Sequence, residues 1–319
     1  MDRGDGFLDR VVEAVRRHTG VTGKRFISSA SQFVVAGDPI SGPGDDGAII
    51  DVDSRQIVAC GEAIAPAFVK VDPHGAGIAA VLANVNDVAA MGGVPRGIVN
   101  TVVGSREVVD ELLRGIRDAA AWYDVPVIGG HATESADTIA LSAFAVGHAE
   151  KVLSMANVRP GQSLMFACCL DGEMRPDFPF FTTLAKQAPR LARDIRLLAE
   201  VASHGHAVAA KDVSMAGPLG SLAMLLEYTR FGAVLDMRKH PMPQGADPLR
   251  WLVSFPSYAF WLATEPETVE SCALHFEKHG LICAEVGKVT EDSAVVLMDG
   301  LGRRTLLDLG RESITGLWG

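Results

Sequence analysis

The chain has 319 residues, of which 48% are hydrophobic and 21% charged, enough to bury a large core and to form two domains. A formal net charge of −10 and a pI near 5.4 argue against nucleic acid or an anionic membrane as the main partner. Five cysteines without a Cys-x-x-Cys do not make a disulfide framework, and nine scattered histidines, with His204-x-His206 as their close pair, give no reason to expect a zinc site.

Met1 to Arg17 reads as an amphipathic helix rather than a signal peptide, and no apolar run reaches the length of a membrane span, so a cytoplasmic protein is expected. Ser41-Gly42-Pro43-Gly44-Asp45-Asp46-Gly47 then sets two adjacent carboxylates in a glycine-rich turn before a β-branched run. Gly47 to Asp51 reads as a strand, Asp53-Ser54-Arg55 as a turn and Gln56 to Cys60 as the returning strand. Pairing about that turn sets Asp46 roughly opposite Glu62, at the spacing of about 5 Å typical of cross-strand neighbours. Three carboxylates that close either protonate or bind a hard cation, and oxygen-only ligation suits Mg²⁺ better than Zn²⁺. The stretch also matches G-x-G-x-x-G, but a strand follows it where a dinucleotide fold needs a helix, and no Walker A sequence occurs.

Gly75 to about Met91 reads as a helix whose single ionisable residue is Asp87. Ile78, Leu82, Val85 and Ala89 form one stripe and Ala80, Asn84, Asp87 and Met91 another, so the helix is apolar on nearly every side and is expected to be buried. A buried carboxylate is costly alone; Asp87 is therefore neutral, bonded to backbone amides or Arg96, or turned toward a cation, and the neighbouring acids favour the cation. Strand Gly97 to Val103, helix Arg106 to Ala121 capped by Ser105, strand Val125 to Ile128 and strand Thr138 to Val146 complete a first domain of α/β or α+β type. Arg159-Pro160-Gly161 opens a second domain. Its strands are Leu164 to Cys169, Val234 to Met237, Tyr258 to Ala263, Ala284 to Val289 and Ala294 to Met298. Its helices are Phe181 to Ser203 with a break at Pro189, Gly220 to Tyr228 and Glu267 to His279.

These motifs, Gly44-Asp45-Asp46-Gly47-Ala48, Asp72-Pro73 leading into Gly77, Asn84 to Gly93 and Val127-Ile128-Gly129-Gly130-His131, resemble in order and spacing the aminoimidazole-ribonucleotide (AIR) synthetase-related, PurM-like superfamily. A weaker match runs through Arg159 to Gln162 and Lys211-Asp212-Val213-Ser214. The resemblance implies two domains, residues 1–150 and 151–319, the first a mixed-sheet domain that pairs with its copy into a dimeric β-barrel and the second an α/β sandwich. It implies ATP held through Mg²⁺, with Asp45, Asp46 and Asp87 as metal ligands and Glu62 standing where relatives usually have Asp. Gly44, Asn86, Gly129, Gly130 and His131 then join the aspartates around the nucleotide, and His131, Asp212 and Ser214 are the candidates for catalysis, although Asp212 and Ser214 also suit a helix cap.

The second domain departs from thiamine-monophosphate kinases, which carry Asp-x-Ser-Asp-Gly where this chain has Asp212-Val213-Ser214-Met215-Ala216, and Gly-Gly-Glu-Asp where it has Ser254-Phe255-Pro256-Ser257. The catalytic thiols of selenophosphate synthetase and the hydrogenase-maturation carbamoyl dehydratase have no counterpart either. The expectation is an Mg-ATP-dependent phosphoryl-transfer enzyme acting on a small polar metabolite, in an uncharacterised branch of the superfamily. Thiamine-monophosphate kinase and an ATP-binding regulatory or scaffold subunit are the alternatives.

Overall fold

The computed structural model describes residues 6–31, 44–53 and 55–317. Residues 41–43 of the glycine-rich turn, Ser54 of the hairpin turn and residues 1–5 of the expected first helix lie outside them. The chain forms two compact units, a smaller one of Asp46–Val152 and Gln187–Glu200 and a larger one of Met1–Asp45, Leu153–Lys186 and Val201–Gly319. The two units are thus made of interleaved segments of the chain. Helix α1 (Phe7–Arg17) is the reason: it buries Phe7, Leu8, Val11 and Val15, a helical stripe, in the core of the larger unit. Two short helices, α2 (Thr19–Thr22) and α3 (Ser28–Ser31), follow it.

The smaller unit runs β1 (Ala48–Val52), β2 (Arg55–Ala63), α4 (Pro66–Val71), α5 (Pro73–Ala90), β3 (Gly93–Gly104), α6 (Arg106–Tyr123), β4 (Val127–Glu134) and β5 (Ala140–Ala149). Its mixed sheet has the order β1-β2-β5-β3-β4, antiparallel throughout except for β3 with β4, and among the described residues it is open, not closed. Asp72 caps α5 by accepting from Gly75 N at 2.9 Å, and Ser105 caps α6 as expected. Helix α5 is buried along most of its length because α6 packs against one side and the sheet against another. The helices approach at two glycines: a Cβ on Gly77 would lie 2.2 Å from Leu112 O, and one on Gly115 2.0 Å from His74 O.

The larger unit contains β6 (Ser163–Cys168), β7 (Glu173–Met174), β8 (Phe180–Thr182), part of α7 (Leu184–Asp194) and of α8 (Leu197–Ser203), β9 (Ala209–Asp212), α9 (Gly217–Glu227), β10 (Gly232–Asp236), α10 (Pro248–Leu252), β11 (Phe255–Pro256), β12 (Ala259–Thr264), α11 (Val269–Glu277), β13 (Ile282–Thr290), β14 (Ala294–Met298) and β15 (Arg303–Asp308). Seven strands form one mixed sheet in the order β15-β14-β10-β13-β6-β12-β9, and β11-β8-β7 form a second, small one. The buried rings of Phe166 and Trp261, 4.9 Å apart, lie in its core with the wholly buried α9. The helix expected over Phe181 to Ser203 is instead a strand and two helices. Pro189 lies inside α7, and the interruption comes at Ile195-Arg196, where Arg196 N turns to Arg193 O and its guanidinium takes the carbonyl of Ala192.

Candidate functional site

In the smaller unit, Asp46 lies at the entry to β1 and Asp87 in the last turn of α5, and one carboxylate oxygen of each lies within 4.8 Å of the other. Gly47 makes this approach possible, since a Cβ there would stand 3.3 Å from both the Met91 side chain and Ala59 O. Asp87 is buried, as the apolar helix around it requires. The hairpin register sets Ala48 opposite Ala59, so Gly61 and not Glu62 is next in line with Asp46; Glu62 pairs with Ala143 and is exposed. A shift of one residue turns a side chain to the other face of the sheet, which is why the expected three-acid end of the hairpin becomes a pair with Glu62 beside it.

Cys60 marks where the acids meet. Burial first, then the charges of Asp87, Asp46 and Glu62, push its thiol far above the ordinary cysteine range, while its Sγ lies 3.4 Å from Asn84 O. The structure makes Cys60 a protonated wall beside the carboxylates, unsuited to act as a nucleophile. Asn86 is buried on the same helix, and Arg96, one candidate partner of Asp87, is exposed and donates to His148 Nδ1 at 3.1 Å.

Asp45 turns the other way. Within the larger unit its carboxylate accepts from Ser154 Oγ at 2.5 Å and from Met155 N at 2.9 Å. Burial pushes its carboxyl up to about 6, against the opposing pull of those two donors and of the Lys211 charge. Asp212, at the end of β9, is buried in an ion pair with Lys211, a residue that the sequence reading quoted without a role. Neither Asp212 nor Ser214 caps α9. The N-cap position is Ala216, which makes no side-chain cap bond, and Ser214 N donates to Ser221 Oγ at 3.0 Å.

Gly129, Gly130 and His131 do not form the loop after a short strand; all three lie on β4, exposed, with Gly130 opposite Asn100 and His131 opposite Thr101. A Cβ on Gly130 would meet Asn100 O at 2.8 Å, so that glycine serves the sheet, whereas nothing lies within 4 Å of a Cβ on Gly129. Ser254 and Ser257 are structural: Ser254 Oγ donates to Arg250 O, and Ser257 Oγ accepts from Thr183 N at 2.8 Å. Among the described residues no helix is long and apolar enough to cross a membrane.

Comparison with known proteins agrees with this architecture. An uncharacterized protein of Synechocystis sp. is 32% identical over 279 residues, covering 86% of this chain and 87% of that protein. Among solved structures, Thermotoga maritima PurL complexed with ATP superposes with a TM-score of 0.76 at 18% identity, over 95% of this chain and 52% of that one, so the chain spans about half the length of PurL. The Aquifex aeolicus thiamine monophosphate kinase ThiL, complexed with AMPPCP and TMP, gives a TM-score of 0.64 at 21% identity, over 80% of this chain and 87% of that one. At such identities the two structures speak for the fold alone. Residues 44–149 match the family described as AIR synthase related protein, N-terminal domain, and residues 182–300 match its C-terminal domain, so the chain belongs to the AIR synthase related family.

Proposed function

We propose that this chain is an Mg-ATP-dependent phosphoryl-transfer enzyme acting on a small polar metabolite. The observation that carries the reading is the approach of Asp46 and Asp87 within 4.8 Å, the latter on a buried and largely apolar helix. Two like charges held there by a buried helix repel unless a cation lies with them. Oxygen ligands of one octahedral Mg²⁺ stand about 3–4 Å apart, so the donor set fits that ion, and the absence of nitrogen and thiolate ligands disfavours zinc. Bound Mg²⁺ would offset phosphate charge, the main requirement of phosphoryl transfer.

The chain's own residues do the rest. Asp46 and Asp87 hold the ion; Asn86 beside Asp87 and the open backbone at Gly129, with Gly44, Gly130 and His131, take the nucleotide. Asp45, its oxygens taken by Ser154 and Met155, acts as an anchor of the turn more than as a direct ligand, and Glu62 adds charge nearby. Asp212, with Lys211 at its carboxylate, and Ser214 are the groups assigned to the metabolite. The nucleotide-bound states of the PurL and ThiL structures support this reading. We also assign the protein to homodimers in which the exposed faces of two five-stranded sheets close a barrel.

ThiL supplies a specific second reading, thiamine-monophosphate kinase. Pro256, paired with Phe181 in the small sheet, and Ser257, bonded to Thr183, stand where that kinase carries acids, which weighs against it. A nucleotide-binding scaffold without chemistry is the third. The test is calorimetric titration of ATP with and without Mg²⁺, followed by a metabolite screen for ADP release. Mg-dependent binding with metabolite-stimulated release is expected; equal affinity without Mg²⁺ overturns the metal role, and Mg-dependent binding without release under any metabolite favours the scaffold.

A further inference from the structure

The histidines that looked scattered in sequence are gathered by the fold of the larger unit. His204 and His206 flank the turn between α8 and β9, while His275 lies on α11 and His279 in the turn just past its end at Glu277. Ring centroids are 5.4 Å apart for His204 and His206, 5.9 Å for His204 and His275, 6.1 Å for His206 and His275, and 6.2 Å for His275 and His279. Three imidazoles on one tetrahedral ion, at the usual metal–nitrogen distance of about 2 Å, have centroids roughly 5 Å apart. The observed triangle is wider by up to about 1 Å, and its ring nitrogens do not all lie within 4.8 Å of one another as they stand.

Nδ1 of His206 is shielded from solvent and has no hydrogen-bond partner among the described residues. Burial, with lesser contributions from His204 and Lys278, holds this ring below the ordinary imidazole range, which keeps it in the neutral form that binds metals. His204 is exposed and the other three rings are half-buried, so turns about their side-chain torsions can bring nitrogens to a common point.

We propose that His204, His206 and His275, with His279 as a fourth donor, form a site for a borderline transition-metal ion of the Zn²⁺, Ni²⁺ or Cu²⁺ class, separate in chemistry from the carboxylate pair. Imidazole favours these ions over Mg²⁺, and an all-nitrogen donor set offers nothing to a hard cation. The ion ties the turn at 204–206 to α11, two segments remote in sequence. It would clip the larger unit rather than take part in phosphoryl transfer.

The experiment is calorimetric titration of untagged, chelator-treated protein with ZnCl₂ in excess Mg²⁺, which occupies the carboxylates first. One Zn²⁺ per chain is expected, with a metal-dependent rise in melting temperature. His204→Gln and His275→Gln should each weaken binding at least about tenfold, leaving the metal-free melting temperature unchanged, while Asp87→Asn leaves Zn²⁺ affinity intact. Co²⁺ should give the strong visible absorption of a tetrahedral nitrogen site in the wild type and lose it in His204→Gln. No Zn²⁺ uptake in excess Mg²⁺, or uptake that survives both histidine substitutions, overturns the site; either result leaves the ATP reading untouched, since that reading is judged by Mg-dependent nucleotide binding.

Discussion

At the scale of single residues, Asp87 is where burial and charge conflict most. Replacing it with Asn keeps the volume and removes one charge, so in the absence of ligand the repulsion from Asp46 falls and stability should hold or rise. Affinity for Mg-ATP should fall by about tenfold to a hundredfold, equivalent to about 1.4–2.7 kcal/mol, and the ATP-dependent gain in melting temperature should shrink with it. Calorimetry and a thermal scan read both signs; unchanged Mg-ATP affinity would remove Asp87 from the metal. The same residue-level reasoning applies to substrate. Met215 is exposed and Ala216 buried where a thiamine-monophosphate kinase carries an acid and a glycine, and Ser254 to Ser257 serve a small sheet. Without those carboxylates, incubation with Mg-ATP and thiamine monophosphate should yield diphosphate at least about 10²-fold more slowly than ordinary kinase turnover. A rate on the order of 1 s⁻¹ would show that other groups replace them.

At the scale of elements, the crossing of α5 and α6 fixes where Asp87 stands. Gly115→Ala gains up to about 1 kcal/mol of helix propensity, but its Cβ would sit 2.0 Å from His74 O and 3.1 Å from Gly77 Cα. Backbone atoms cannot turn aside, so the helices must part, and overpacking of this kind costs about 1–3 kcal/mol. The melting temperature should drop and Mg-ATP affinity with it, whereas Gly129→Ala, with open space around its Cβ, should leave stability unchanged. The elements themselves were largely legible. Hairpin, buried helix and capped α6 follow from β-branched runs, an apolar stripe and Ser105, and the Asp46–Asp87 pair follows from a glycine-rich turn near an apolar helix. Strand β9 was missed because it is short and β15 because it opens on two arginines and a threonine, and β4 was cut at Gly129-Gly130 because glycine reads locally as a break while pairing with β3 overrides it. The partners of Asp45 lie 109 and 110 positions away, and the histidine cluster joins residues some seventy positions apart, distances over which no local pattern carries information.

At the scale of the whole molecule, the five-stranded sheet leaves one face without a covering helix. Ile128 is 60% exposed, Phe144 48% and Val146 38%. Two of these side chains lie over glycines: a Cβ on Gly97 would strike Ile128 at 2.7 Å, and one on Gly61 would strike the Phe144 ring at 2.3 Å. Apolar side chains laid flat over glycines make a smooth patch, and Ile50 on β1 extends it. Scattered exposed apolar residues are ordinary, but a contiguous sheet face of this composition marks an interface. The partner we propose is a second copy, because a two-fold axis would present the same patch to itself and let two open sheets close into one barrel. A stable pair of this kind needs about 800 Å² from each partner, which the face of a five-stranded sheet can supply. Light scattering at micromolar concentration should therefore give the mass of a dimer. Ile128→Glu sets a charge in the patch, where desolvating it in the pair is costly while the monomer keeps it in water, so the variant should fold and run as a monomer. A wild-type monomer mass would remove the barrel, and a dimer that persists in Ile128→Glu would move the interface to another surface.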